Sequence, residues 1–299
     1  MDESTARGQV VVGVDGSDES YRALDRAMEL AAATATALRV VHAYGGQGST
    51  VLREELAAQY GRDAGSPRAQ GLLDLAVDYA GARLQYLDPS IPVTGALHLG
   101  SAAGALREES RHASVVVIGS RRHGGLTGLL LGSVAVPLSA HADCPVIVVR
   151  GAEAVRPRGD APVVVGVDGT SMSTPALRFA AAEAERLGCP LVPVMTWDDP
   201  WVGGAEVAAV MPSPTDMGAQ TRNGLADAVG PVAADHPDLV VDLVVERGNP
   251  AHVLLRHATG ARMVVVGSRG RGGFIGLLLG STSQTLLHRS PVDVAVVRS

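Results

Sequence analysis

Seven residues occur twice in this chain of 299: Val10-Val-Val-Gly-Val-Asp-Gly16 returns letter for letter as Val163-Val-Val-Gly-Val-Asp-Gly169. A second string, Gly128-Leu-Leu-Leu-Gly-Ser133, returns as Gly276-Leu-Leu-Leu-Gly-Ser281. Duplication restricts the fold to one unit built twice, since each copy carries the same apolar pattern and must bury it in the same way. The offset is 168 − 15 = 153 at the first string and 267 − 119 = 148 at the second, so the halves differ by 153 − 148 = 5 residues between Tyr44 and Gly100.

Each half has about 150 residues, enough for a core of its own. The stretch Gly151-Ala-Glu-Ala-Val-Arg-Pro-Arg-Gly-Asp-Ala161 is polar and without apolar period, and reads as a linker. The expected organisation is therefore a first domain at 1–150, a linker at 151–161 and a second domain at 162–299.

Within the first half, short Val-rich runs alternate with helical patterns. Gln9–Asp15, Leu38–Tyr44, Ile91–Leu99, Val115–Gly119 and Val146–Arg150 read as strands. Ser17 is placed to cap a helix with Asp18 and Glu19 in its first turn and Tyr21, Leu24, Met28, Ala31 and Ala35 on one stripe. Arg68–Leu87, Ala102–His112 and Ser133–Ala140 read as further helices. The second half repeats this, with strands at Pro162–Asp168, Leu191–Trp197, Leu239–Glu246, Met263–Gly267 and Val294–Arg298. Such alternation predicts an α/β protein with parallel sheets covered by helices, and ligands at the carboxyl ends of strands where strand order reverses.

Several function classes are excluded by what the chain lacks. All 25 basic residues are arginine, which removes lysine-dependent chemistry: the P-loop, Schiff bases and pyridoxal phosphate attachment. A net charge of −6 with 3% aromatics gives no basic, stacking surface for nucleic acid. Two cysteines without a CxxC pair, and no long apolar run, fit a reducing cytoplasm and no membrane span. No hydrolase elbow or metal-spaced histidine motif is present, so no catalytic residue and no metal ligand is assigned.

The candidate chemistry lies after the first and fourth strands. Asp15 and Asp168 each end a first strand, where a carboxylate can accept hydrogen bonds from a ribose or a base, or can serve as a turn residue before Gly-Ser or Gly-Thr. After the fourth strand comes a glycine-rich loop leading into a helix, an arrangement that offers backbone N–H groups to phosphate. In the second half it reads Gly267-x2-Gly270-x9-Gly280-Ser281, and in the first Gly119-x2-Arg122-x9-Gly132-Ser133. Arg122 thus replaces a glycine. It either brings a steric cost where backbone must meet phosphate, or reaches over to pair with phosphate oxygens. Arg269 and Arg271 flank the second loop as further charge partners. His42, His98 and His123 lie at strand ends or in the loop, and Asp198 and Asp199 follow the second strand of the second half.

On the strand-Asp-Gly-Ser/Thr opening of both halves and the Gly-x2-Gly-x9-Gly-Ser pattern of the second, the chain resembles a tandem universal stress protein over essentially its whole length. The resemblance implies two Rossmann-like (adenine nucleotide alpha hydrolase-like) domains, each a five-stranded parallel sheet with helices on both faces, and ATP in the crevice, with Mg²⁺ as the cation that could accompany it. By analogy Asp15 and Asp168 would meet ribose or adenine, Gly13 and Gly166 would leave room for the base, and Val41 and Val194 would line its pocket. Gly119, Ser120, Arg121, Arg122, Gly125, Gly132, Ser133 and Val134 would form the first phosphate loop. Gly267, Ser268, Arg269, Gly270, Arg271, Gly273, Gly280, Ser281 and Thr282 would form the second, with Ser133 and Ser281 donating to phosphate. Last strands join domains in this family, which implies an intrachain pseudo-dimer and leaves a homodimer open. The expected function is a nucleotide-responsive regulator of stress or growth state with little or no turnover; a slow ATPase, or a scaffold with structural ATP, are the alternatives.

Overall fold

The computed structural model describes residues 8–45, 66–120, 133–150, 159–197, 213–270 and 279–298. The chain divides into two compact units, Met1–Gly151 and Ala152–Ser299.

In the first unit the elements follow as β1 (Gln9–Gly13), α1 (Asp18–Thr34), β2 (Leu38–Gly45), α2 (Pro67–Leu87), β3 (Val93–Gly100), α3 (Ala102–Glu109), β4 (Ala113–Gly119), α4 (Ala135–His141) and β5 (Val146–Val149). The strands form a parallel sheet in the order β3-β2-β1-β4-β5. Helix α1 packs on β1, β4 and β5 and on α2, while α3 packs on β1, β2, β3 and α4. Two helix pairs thereby cover the two faces. This explains the unbroken valines of β1: with both faces covered, Val10, Val11 and Val12 are all buried, whichever way each side chain points.

Helix α1 begins where the sequence places it. Ser17 accepts the Ser20 N–H at the N-cap, and Asp18 and Glu19 complement the dipole in the first turn. Leu24, Met28 and Ala31 of the expected stripe are buried, and Ala23, Ala27 and Leu30 widen that face. Tyr21 sits at the rim, with its ring edge-to-face on Tyr79, and Ala35 is the left-handed C-cap with φ 50. The expected helix Ala102–His112 ends at Glu109 and closes with a 3-10 turn, Ser110–His112.

The second unit repeats the plan with β6 (Val163–Gly166), α5 (Thr174–Leu187), β7 (Leu191–Trp197), α6 (Pro214–Asp235), β8 (Val244–Arg247), α7 (Pro250–Ala258), β9 (Met263–Gly267), α8 (Ser281–Arg289) and β10 (Asp293–Val297). Its parallel sheet has the matching order β8-β7-β6-β9-β10. Strand β8 starts later than the expected Leu239. Leu191 bonds Val240 O and Asp242 N on the β8 side, so the next bond on that side belongs to residue 193. That residue is Pro193, which has no N–H to give, and the ladder shrinks to an isolated bridge at Leu191–Val241 before resuming at Val194–Val244. The first half has Val40 at this place (193 − 153 = 40), and β3 pairs with β2 from Val93 onward.

Candidate functional site

In each sheet the first strand is followed outward on one side by the second strand, while the fourth strand leads away on the other. The carboxyl ends of β1 and β4 therefore part, and in the first unit they frame a crevice of about 120 Å³. Gly13, Asp15, Val41, Gly119, Ser133 and Val134 all line it, so the structure gathers six of the eleven first-half candidates at one place. Ser120 is turned inward instead: its side chain is buried and its N–H is donated to Val149 O at 2.9 Å. Arg121, Arg122, Gly125 and Gly132, with His123, lie outside the described residues.

The two aspartates are held alike. Asp15 Oδ1 accepts the Ser17 N–H at 3.1 Å and the Ser17 hydroxyl at 2.5 Å. Asp168 Oδ1 accepts the Thr170 N–H at 2.9 Å and its hydroxyl at 2.7 Å. Each carboxylate is thereby fixed by its own turn, whose middle residue, Gly16 or Gly169, sits at φ +83 or +76, a conformation glycine adopts without strain. The turn role and the ligand role are compatible, because a carboxylate can accept about four hydrogen bonds.

Below each aspartate the strand ends are tied by backbone. Val14 N–H donates to Val41 O and Val167 N–H to Val194 O, both at 2.9 Å. In the first unit His42 adds a buried bond: its Nδ1 lies 2.8 Å from Val14 O, and since a carbonyl only accepts, Nδ1 carries the proton. His42 thus braces the residue before Asp15 rather than facing a ligand.

Gly13 and Gly166 have a neighbour that the sequence reading did not anticipate. A Cβ on Gly13 would stand 2.8 Å from Leu106 Cδ1, and one on Gly166 2.9 Å from Leu254 Cδ1. The room made by each glycine admits a leucine from α3 or α7, and in the first unit Leu106 becomes an apolar wall of the crevice. Gly119 permits a closer approach still: its Cβ would lie 2.5 Å from the Glu19 carbonyl oxygen, so the first turn of α1 rests directly on the end of β4.

The second unit supplies the loop geometry. Ser268 is buried, gives its N–H to Val297 O at 2.8 Å, and accepts the Gly280 N–H on its carbonyl at 2.7 Å. The two ends of the glycine-rich loop therefore meet. Ser283 Oγ donates to Gly267 O at 2.6 Å, fastening the start of α8 to the end of β9. Gly280, the N-cap of α8, brings no side chain to the helix's first N–H groups, and Ser281 is exposed beside it, with Thr282 half-buried. On the other side of the crevice, a Cβ on Gly270 would come 3.1 Å from Asp168 Oδ2, so loop backbone and first-strand carboxylate face each other without a side chain between them. Arg269 is exposed at this edge, while Arg271, Gly273, Asp198 and Asp199 lie outside the described residues.

Helices α3 and α7, which bring Leu106 and Leu254, are anchored by an ion pair whose letters are exchanged between the units. In the first, His98 Nε2 on β3 lies 2.8 Å from Glu109 Oε1 on α3, and Arg39 Nε donates to Glu109 Oε2 at 2.7 Å. In the second, Glu246 on β8 meets His257 Nε2 on α7 at 2.6 Å and also pairs with Arg256. The positions correspond, since 246 − 98 = 148 and 257 − 109 = 148, so acid and imidazole have changed places. Burial raises the Glu109 carboxyl, but the hydrogen bonds from Arg39 and His98 outweigh it and hold it below the usual glutamate range. The hydrogen bond from His257 does the same for Glu246, against a smaller rise from burial. Comparing the halves at the second offset would have found this clamp in the sequence.

Among the described residues no group of three His, Cys, Asp or Glu could hold a metal ion, and no helix is long and apolar enough to cross a membrane.

Two parallel α/β units, each with an aspartate at the point where strand order reverses, and in the second a glycine loop whose ends meet, define a tandem protein of the Rossmann-like α/β class. The chain belongs to the universal stress protein family, which matches residues 7–150 and 161–298, and this gives it a stress-related role. Universal stress protein Rv2005c of Mycobacterium tuberculosis is 36% identical over 296 residues, covering 97% of this chain and 96% of the relative. Universal stress protein Rv2623 of the same organism is 38% identical over 199 residues, 65% of each chain. The crystal structure of a universal stress protein from Archaeoglobus fulgidus superposes with a TM-score of 0.68 at 20% identity, covering 99% of both chains, which speaks to the fold.

Proposed function

We propose that the chain binds ATP at the carboxyl ends of its first and fourth strands and acts as a nucleotide-responsive regulator in the cytoplasm, with little or no turnover. The observation that carries this reading is the approach of Gly270 to the Asp168 carboxylate, with the loop ends closed by the Gly280–Ser268 hydrogen bond. Such a cradle suits a nucleotide. Asp168 would accept from the sugar hydroxyls or the base, Val194 and Leu254 would flank the base, and the N–H groups at Gly280–Ser281 would receive phosphate, whose charge Arg269 and Arg271 would balance. Mg²⁺, if it accompanies ATP, would be held chiefly by the phosphates. Low turnover fits a carboxylate already engaged by the Thr170 turn, which holds it as a fixed acceptor.

Denaturing freshly purified protein and identifying the released small molecules is the direct test. Adenine nucleotide is expected, or its uptake on soaking with ATP. Finding none in either sample overturns the reading, and steady-state phosphate release abolished by a single substitution would make the protein an enzyme instead. Titration of Asp168→Ala should show loss of the tighter site, while Asp15→Ala leaves it in place.

A further inference from the structure

Among the described residues, helix α2 carries a face with exposed apolar side chains. Its buried line is Ala69, Leu73, Ala76, Ala80 and Leu84. Along its flank runs a second apolar line, Leu75, Tyr79, Ala82 and Tyr86, at steps of 4, 3 and 4 residues. Leu75 is 67% exposed, Tyr79 37% and Tyr86 90%. Steps of 4 and 3 trace the seam of a coiled coil. In heptad positions Tyr79 and Tyr86 fall at a, Leu75 and Ala82 at d, Asp78 at g and Arg83 at e. In a parallel pair of identical helices, g of one faces the following e of the other, so Asp78 would meet Arg83 of the partner subunit, and the pair occurs twice by symmetry. Asp78 and Arg83 are both exposed. The central Tyr79 is already ordered, with its ring 5.4 Å from that of Tyr21 and its hydroxyl donated to Asp25 Oδ1 at 2.8 Å, so little freedom is left to lose on contact.

The second unit has no such line. At the 148 offset its α6 carries Asn223, Asp227, Gly230 and Ala234 in these places. Of these two corresponding helices, only α2 therefore carries a surface whose charge pattern matches itself.

We propose that α2 is the contact of a parallel, two-fold homodimer, with Leu75, Tyr79, Ala82 and Tyr86 as the seam and reciprocal Asp78–Arg83 pairs setting its register. Two heptads make a contact at the small end of specific interfaces, so the dimer forms reversibly with rising concentration.

Sedimentation equilibrium of the full chain from micromolar to millimolar concentration tests this. The wild type should show a monomer–dimer equilibrium, which Leu75→Glu with Tyr86→Glu weakens by at least about tenfold. Asp78→Arg and Arg83→Asp should each weaken it, and the two together should restore it. Ala82→Cys should give an intermolecular disulfide on mild oxidation, since d meets d in a parallel seam, and the native Cys144 and Cys189 are buried. All the substituted side chains are exposed, and circular dichroism checks that each variant remains folded. A wild type that stays monomeric, a dimer indifferent to the two glutamates, an exchange of charges that does not restore association, or no disulfide at residue 82 would each overturn the proposal.

Discussion

Replacing Glu109 by alanine probes the clamp that carries Leu106 to the crevice. The carboxylate accepts from Arg39 Nε at 2.7 Å, Arg39 Nη2 at 3.2 Å and His98 Nε2 at 2.8 Å. Its side chain is 10% exposed, against 30% for Arg39 and 26% for His98. A hydrogen bond to a charged group contributes about 1.5–3 kcal/mol, but the two donors can regain water once the carboxylate is gone, so the net cost is about 2–3 kcal/mol rather than the sum. Glu246 is the control. It is 32% exposed and its Arg256 partner 63%, which places Glu246→Ala at about 1 kcal/mol or below. Urea unfolding followed by hydrogen exchange at amides of each unit measures both, and with a slope near 2 kcal/mol/M the Glu109 change should lower the first unit's midpoint by roughly 1–1.5 M. The pH dependence has a definite sign. Because the folded carboxyl lies below its unfolded value of 4.5, the stabilisation is complete above that pH and is lost as pH falls through the lowered value. Wild type and Glu109→Ala should therefore converge in acid. A Glu246→Ala cost equal to that of Glu109→Ala, or a gap that stays constant down to about pH 3, would refute the reasoning.

Gly119→Ala should destabilise the first unit by about 1–3 kcal/mol, because the new methyl meets the Glu19 backbone at 2.5 Å, and calorimetry should find Gly267→Ala milder, its nearest atom being 3.0 Å away. Pro193→Val should return the missing ladder N–H, seen as a new slowly exchanging amide at residue 193 and added protection around Asp242. His42→Ala should cost about 1–3 kcal/mol by leaving the buried Val14 carbonyl without its 2.8 Å donor, measured by urea unfolding. Burial pushes the Cys144 thiol up to about 12, so a thiol reagent at about pH 8.5 should label it only on unfolding.

Much of the architecture was legible because the strands are buried on both faces and therefore spell themselves as runs of valine. Position in the sheet was less legible. Pro193 stood in the sequence as a residue of an interior strand, but which neighbour would lose its N–H depends on the hydrogen-bonding phase of β7, and that phase appears only with the fold. The aspartates and loop glycines were legible for a related reason: turns and close backbone approaches demand particular residues. Leu106 and Leu254 were not, since a leucine on a helix reads as core, and only the packing shows it resting against Gly13 or Gly166. The clamp fell between these cases. His98 beside Glu109 carries no local signal, yet the exchange of letters at Glu246 and His257 does, because one pair can swap its members and keep its attraction.

The same distinction says where the two sites diverge. Bonds between backbone groups are indifferent to side chains, and the duplicates share them: Val14 with Val41 and Val167 with Val194, Ser120 with Val149 and Ser268 with Val297. The closure of the second loop adds a side chain, Ser283 Oγ to Gly267 O at 2.6 Å, and the first half has Ala135 at that place (283 − 148 = 135), which has no hydroxyl to donate. Arg122 falls in the place of Gly270 by the same offset, and Asp15 is exposed where Asp168 is half-buried. Two differences in the structure and one in the sequence thus set the halves apart, while the backbone bonds beneath are common to both. Ligand discrimination between the halves should then reside in the loop: Ser283→Ala should weaken the second site without unfolding its sheet, whereas changes to the shared bonds should affect both sites alike.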